Sequence, residues 1–452
     1  MSKPNILFIT TDQQRWDALG ANGNNLIKTP NLDRLANEGC NFSNSYCAAA
    51  ACQPSRASIL TGVLPDKHGI TCTGGNQNWE WNSMKTLPDL LNEQGYDTIG
   101  VGKMHFSPSK NFCGFSERIY IESKYNSDDE YTTYLEEQNM ALKYIGHHTS
   151  NFGKFNKAIP SSFSEEHHID SYIGNRCIEK LKSRSESENP YFMWLSFCGP
   201  HDPYDPPEPY ASMYNPEDMP KPIRAVNELD SLPPIVRERT TNFGKEKITV
   251  HGISDEEHQR IRSLYYGNVS LIDHSIGKII AYLEDQGELE NTVIIFTSDH
   301  ADCLGDHDVM WKTMVPSDAD MKVPLLVRYP KLFKPCTDDD FVTGVDILPT
   351  ILDTIGAKTP EYCDGKSLLN KKVKSEYALM FIEGNKWRYR DKEASFTWWM
   401  DQPFNTMYDL TKDAHELSNL CINKNQEVTT KEKNYIKLIQ EDRNFSDLVT
   451  NE

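Results

Sequence analysis

Four short apolar runs, each stopping at residues that carry chemistry, constrain the fold of this chain more than any other feature. Asn5-Ile6-Leu7-Phe8-Ile9-Thr10-Thr11 leads into Asp12-Gln13. Tyr96-Asp97-Thr98-Ile99-Gly100-Val101-Gly102 leads into Lys103-Met104-His105, and Tyr191-Phe192-Met193-Trp194-Leu195-Ser196-Phe197 leads toward His201-Asp202. Thr292-Val293-Ile294-Ile295-Phe296-Thr297-Ser298 leads into Asp299-His300. Runs this short, without polar alternation, are those of strands covered on both faces of a parallel sheet. In an open α/β sheet the ligand lies beyond the carboxyl ends of the strands. Four runs that deliver Asp, Lys, His and Asp-His at those ends therefore predict one shared site. Helices are predicted between them. Residues 30–38 begin with Pro30 and put Leu32, Leu35 and Ala36 on one face. Residues 86–94 carry Leu87, Leu90 and Leu91, and residues 258–286 carry Ile261, Leu264, Val269, Ile272, Ile276, Ile279 and Ile280. The alternation predicts an α/β fold with a large doubly wound, mostly parallel sheet.

Two polar or Pro-rich segments, 108–164 and 200–253, read as insertions that shape a site. Beyond residue 370 the pattern changes: 376–383 and 387–389 read as antiparallel strands, and 429–449 as a closing amphipathic helix. The expected organisation is a catalytic domain over 1–370 and a C-terminal α+β subdomain over 371–452. No apolar stretch is long enough to span a bilayer. The start of the chain has neither the long apolar region nor the cleavage site of a signal peptide, which predicts a cytoplasmic protein, or one already trimmed of its signal, without a membrane partner. The net charge of −19 excludes broad nucleic-acid binding, although a local basic cleft can still hold a small anion. The eleven cysteines are odd in number and form no CxxC pair. They predict a reduced chain with mostly small core cysteines, and neither a disulfide scaffold nor a zinc ribbon.

The segment Cys52-Gln53-Pro54-Ser55-Arg56-Ala57-Ser58-Ile59-Leu60-Thr61-Gly62 carries the strongest functional signal. Pro54 suits the first helical position and Gly62 a helix end. Cys52 then stands at a helix N-terminus, where free N–H groups and the macrodipole favour an anion and lower a thiol pKa. Taken alone, it is as well explained as a packed cysteine before an ordinary helix. As a whole the string resembles the sulfatase signature C-x-P-S-R-x-x-x-L-T-G at every fixed position. The resemblance continues through His68-Gly69, Gly102-Lys103-Met104-His105, Pro200-His201-Asp202-Pro203 and Thr297-Ser298-Asp299-His300. It extends to Leu304-Gly305-Asp306-His307, Trp311-Lys312 and Met407-Tyr408-Asp409-Leu410, and so covers nearly the whole chain.

The resemblance implies that Cys52 is oxidised to formylglycine by a formylglycine-generating or anaerobic sulfatase-maturing enzyme. Its hydrated aldehyde is a geminal diol. One hydroxyl attacks sulfur, and loss of the proton from the other expels sulfate as the aldehyde re-forms. It implies one divalent ion, Ca²⁺ first and Mn²⁺ or Mg²⁺ next, held by Asp12, Gln13, residue 52, Asp299 and His300. Many sulfatases have Asp and Asn where this chain has Gln13 and His300. The combination here is more similar to the phosphonate monoester hydrolases and choline sulfatases, and His300 is either a ligand or the partner that orients one. Arg56 is implied to stabilise the ionised diol, Lys103 and Lys312 to bind sulfuryl oxygens, His105 to assist the diol, and His201 to protonate the leaving oxygen. His68 is implied to support the Cys52 loop. Thr73 is implied as a pocket residue where the related phosphonate hydrolases tend to have Asn. Outside this pattern each of these residues has an ordinary reading: a cap for the aspartates, a solvated surface for the lysines, an exposed loop for His201. Trp79, Trp81, Trp398 and Trp399 suit either a sugar or aryl pocket or plain packing. The implied substrate is a sulfated sugar, aryl or alkyl ester, and the alternative is a phosphonate monoester or phosphodiester.

Overall fold

The computed structural model describes residues 3–74, 79, 84–122, 128–141, 158–184, 187–241, 253–312, 315–370, 375–384 and 386–443. Twelve strands are found among them. They are β1 (Asn5–Asp12), β2 (Cys40–Tyr46), β3 (Asp97–Gly102), β4 (Glu117–Tyr120), β5 (Tyr191–Pro200) and β6 (Thr292–Ser298). Then follow β7 (Leu325–Arg328), β8 (Cys336–Thr343), β9 (Tyr377–Ile382), β10 (Lys386–Asp391), β11 (Ala394–Trp398) and β12 (Thr406–Asp409). The first eight form one sheet in the order β4-β3-β5-β1-β6-β7-β2-β8. The four apolar runs are its contiguous centre, β3-β5-β1-β6, and all their pairings are parallel. Register brings their ends level: Thr11 lies beside Ser298, and Gly102 beside Ser196.

Alternation within these strands fills two cores. Leu7, Ile9, Met193, Leu195, Ile294 and Phe296 face the helices Ile169–Ser183 and Asp255–Asp285. Ile6, Phe8, Phe192, Trp194, Val293 and Ile295 face the other way, toward the helices Cys52–Thr61, Leu87–Glu93 and Ile347–Thr354. All twelve side chains are buried. Each contributes about 1.5–3 kcal/mol by leaving water. The doubly wound expectation holds because both faces of the sheet need covering.

Several expectations need correction. The segment 108–164 is not only an insertion, since β4 pairs in parallel with β3 and forms the sheet edge. The far side, β7-β2-β8, went unrecognised because β2 and the edge strand β8 are rich in polar residues and β7 has four residues. The expected absence of disulfides fails at one pair: Cys40 and Cys336 are register partners on β2 and β8 and are bonded. Eight of the eleven cysteines are buried, as a core role predicts. Pro54 is the third residue of its helix and not the first, and Cys52 itself opens the helix. Gly62 does end it: its φ is 70°, and a Cβ would stand 2.7 Å from Cys363 Sγ. Trp79 and Trp399 are buried in packing roles, Trp398 is half-buried, and Trp81 lies outside the described residues.

The strands expected at 376–383 and 387–389 are β9 and β10, antiparallel, and β11 and β12 complete a four-stranded sheet. The helix Gln426–Arg443 packs on this sheet, and the expected continuation to 449 lies outside the described residues. Arg388 of β10 joins this sheet to the large one. Fully buried, it donates to Asp318 Oδ1 at 2.7 Å and to Glu416 Oε1 at 2.8 Å. Removing this guanidinium leaves the buried Glu416 carboxylate without its cationic partner, while Asp318 keeps Arg390. Arg388→Ala is expected to cost about 3–5 kcal/mol. The measurement is denaturant unfolding, read as a lower midpoint. An unchanged midpoint would show that the two sheets are held together elsewhere.

Candidate active site

Strand ends and one helix start build the site. Asp12 is the last residue of β1, Lys103 follows β3, His201 follows β5 and Asp299 follows β6. Cys52 enters from the helix above them. Asp12, Cys52, Arg56, Asp299 and His300 are each no more than 1% exposed. One ligand atom from each of Asp12, Cys52, Asp299 and His300 lies within 4.8 Å of the others. Cys52 Sγ is 3.1 Å from His300 Nε2 and 3.9 Å from Asp12 Oδ1. His300 Nε2 is 3.5 Å from Asp12 Oδ1 and 3.7 Å from Asp299 Oδ1.

Arg56 lies across the two carboxylates, with Nη2 3.3 Å from Asp12 Oδ2 and Nε 2.8 Å from Asp299 Oδ2. Its Nη1 donates to Lys103 O at 2.5 Å and to Ser196 Oγ at 2.9 Å, so one guanidinium ties together four strand ends. Ser55, one helical residue earlier, donates to Asp299 O at 2.5 Å. The S-R pair of the motif therefore docks the helix onto the site through both members. Lys103 Nζ is 2.6 Å from Asp12 Oδ2. Burial, and next the facing Cys52, push the Asp12 carboxyl up, but Lys103, His201 and Arg56 outweigh them and hold it well below the usual range. Burial also pushes the Cys52 thiol up. Lys312 and His300, with hydrogen bonds from His105 and His201, bring it well below its ordinary value.

His300 Nδ1 pairs with Ala301 O at 2.9 Å, which turns Nε2 inward. Burial lowers the basicity of this imidazole, but the facing Asp299 carboxylate prevails and raises its pKa to about 9. An imidazole and two carboxylates that together hold a proton so tightly offer the same donor set to a divalent cation, which displaces that proton. The residues therefore fit one ion among hard oxygen donors with one nitrogen.

The remaining predicted residues form a rim. Gln13 has a φ of 71° and joins the cluster through its backbone, its N–H donating to Asp299 Oδ1 at 3.1 Å. Its side-chain Oε1 accepts from Lys312 Nζ at 2.6 Å, and the same ammonium is 2.8 Å from His201 Nε2. His201 has 26% of its side chain exposed, and its Nδ1 pairs with Asp202 O at 2.8 Å. His105 has a φ of 57°, and its N–H donates to the buried Glu122. Positive φ at non-glycine residues clusters at functional sites. Thr73 is exposed beside the nucleophile helix and accepts from the Gln53 N–H at 3.4 Å. His68 pairs with Ser58 Oγ at 3.0 Å and so braces the same helix from behind. All predicted residues are thus brought to one place, with Thr73 and His68 at its margin. Ser196, Glu122, Tyr204 and Asp302 went unrecognised. Only Asp302 carried a signal, as the third polar residue of Asp299-His300-Ala301-Asp302.

Among the described residues no helix is long and apolar enough to cross a membrane.

The sulfatase family model matches residues 4–357, and the model for the N-sulphoglucosamine sulphohydrolase C-terminal region matches 305–442. An arylsulfatase of Clostridium perfringens is 33% identical over 452 residues, covering 92% of this chain and 90% of its own. An N-acetylglucosamine-6-O-sulfatase of Bacteroides thetaiotaomicron is 26% identical over 419 residues, covering 81% of this chain and 70% of its own. In fold, the phosphonate monoester hydrolase of Agrobacterium radiobacter superposes with a TM-score of 0.84 at 24% identity, covering 98% of this chain and 95% of that one. The chain belongs to the sulfatase family and is a sulfatase.

Proposed function

We propose that the protein hydrolyses a sulfate monoester of a sugar, aryl or alkyl alcohol. Its nucleophile is residue 52, after a maturing enzyme has oxidised the thiol to formylglycine. The observation that carries this reading is the buried convergence of Asp12, Cys52, Asp299 and His300 under three cationic side chains. Two carboxylates, an imidazole nitrogen and the residue-52 side chain converge in one dry pocket, a donor set that suits a single divalent cation. Asp12, Asp299, His300 and residue 52 would hold one divalent ion, with Gln13 Oε1 as a further donor through its second lone pair. Ca²⁺ suits the oxygens, and the imidazole also suits Mn²⁺, with Mg²⁺ third. Bound there, the ion would lower the basicity of the nucleophile and polarise a sulfuryl oxygen.

The other roles follow from position. Arg56 holds the nucleophile helix and both carboxylates in one geometry. Lys103 and Lys312 present ammonium groups to the sulfuryl oxygens, where charge accumulates in the transition state. His105 takes the proton whose loss releases sulfate from the diol, and His201, at the open side, gives a proton to the departing alcohol oxygen. Thr73 shapes the pocket beside the helix start. Residues 1–370 carry this chemistry, and 371–452 form the subdomain that closes the fold against it. The names of the arylsulfatase and N-acetylglucosamine-6-O-sulfatase relatives support a small sulfated substrate.

The test compares kcat/KM for sulfate monoesters, a phosphonate monoester and a phosphodiester with matched nitrophenol leaving groups, using fully matured, metal-loaded enzyme. A higher value for the sulfate ester is expected. A higher value for the phosphonate or the phosphodiester would replace this reading with a phosphonate monoester or phosphodiester hydrolase using the same groups.

A further inference from the structure

Asp302 lies outside the motif residues discussed so far, yet its carboxylate gathers three segments of the site. It is fully buried. Oδ2 accepts from Gln13 Nε2 at 2.5 Å and from the Tyr204 hydroxyl at 2.6 Å. Oδ1 accepts the backbone N–H groups of Leu304 and Trp311, each at 2.9 Å. Tyr204 follows His201 by three residues, and Trp311 immediately precedes Lys312. Trp311 has a φ of 65°, so its N–H is held to Asp302 from a backbone conformation that needs support.

We propose that Asp302 is a positioning residue that sets the polarity of the Gln13 amide and thereby aims Lys312 into the substrate site. An ionised carboxylate can only accept hydrogen bonds. Gln13 must therefore turn its NH₂ toward Asp302, which leaves its C=O facing the ammonium of Lys312 at 2.6 Å. The same carboxylate fixes the backbone just before Lys312, so both ends of the Gln13–Lys312 contact are set by one group. This rests on the reading of Lys312 as a sulfuryl-binding residue given above.

The polarity argument makes a transposition the decisive experiment. In Asp302→Asn the side-chain oxygen can stay with the two backbone N–H groups, and its NH₂ then faces the NH₂ of Gln13. The Gln13 amide turns over and presents NH₂ to Lys312. kcat/KM is expected to fall by roughly 10–100-fold, the usual effect of losing an orienting partner. Gln13→Glu alone sets a carboxylate against Asp302 and is expected to lose a similar factor. In the double variant the amide at 302 donates to a carboxylate at 13, whose other oxygen takes Lys312, and the net charge of the site is that of the parent. The expected result, with metal in excess, is recovery of at least about tenfold over either single variant, a non-additivity that distance alone would not produce. If Asp302→Asn does not fold by itself, the comparison runs from Gln13→Glu, which the second substitution must restore. A double variant no better than its worse parent overturns the proposal. Lys312→Ala is measured in parallel. If it keeps full kcat/KM, the reading of Lys312 is wrong. If it loses activity while the double variant is not rescued, only the role of Asp302 is wrong.

Discussion

Cys52→Ala is expected to give a folded protein whose turnover of every sulfate ester falls to the background of the assay. The residue is 1% exposed at the first position of its helix, and alanine keeps the Cβ and the helix propensity. Arg56, Ser55 and the strand ends they bind are untouched, so the loss falls on the nucleophile and the metal ligand that residue 52 supplies. Cys52→Ser separates attack from release. A serine hydroxyl at the same place can accept the sulfuryl group, but has no second hydroxyl whose deprotonation expels it. One equivalent of alcohol is expected in a rapid burst, followed by arrest. The measurement is pre-steady-state release of a nitrophenol. Sustained multiple turnover by Cys52→Ser at the parental rate would show that the release step does not need the diol.

The second large effect is expected at His201 and depends on the leaving group. His201 is partly exposed and its Nδ1 pairs with Asp202 O, so Nε2 is the atom that faces the cleft and Lys312. With Lys312 donating at 2.8 Å, Nε2 acts as an acceptor. To serve as an acid it must gain a proton while the ammonium swings to the incoming sulfuryl oxygens. A general acid contributes about 10²–10⁴-fold, and only where the departing oxygen is strongly basic. His201→Ala is therefore expected to lose that factor on an alkyl or sugar sulfate and far less on a nitrophenyl sulfate. Lys312→Ala is expected to impair both, because it acts on the transferring group whatever leaves. The comparison is kcat/KM for both esters with each variant. Equal losses for His201→Ala would return that residue to a positioning role.

The parts of this fold that were legible in the sequence are those where one physical demand acts alone. Strands covered on both faces must be apolar throughout, so β1, β3, β5 and β6 stood out, and the residues that stop them were the site. Edge strands answer to solvent on one side. The edge strand Cys336–Thr343 and its neighbour Cys40–Tyr46 carry polar residues that mask a strand pattern, and their facing cysteines, far apart in the chain, gave no sign that register would join them. The strand Glu117–Tyr120 was hidden within a polar segment for the same reason. In the site, Asp12, Lys103, Asp299 and His300 were found because motif and strand end coincide, and Cys52 because its motif opens a helix. Ser196 and Tyr204 were not, since each acts only through a partner distant in sequence, Arg56 and Asp302 respectively. Glu122 was missed similarly, because its partner is the backbone N–H of His105 and not a side chain.

The central claim is that residue 52 acts as formylglycine, and occupancy tests it most directly. Preparations made with graded amounts of a maturing enzyme are digested, and the fraction of residue 52 carrying an aldehyde is read by mass spectrometry of its peptide. The kcat of each preparation toward a sulfate ester is measured with metal in excess. A line through the origin, with turnover proportional to aldehyde content, is the predicted result. Full turnover in protein whose residue 52 is entirely thiol would contradict it.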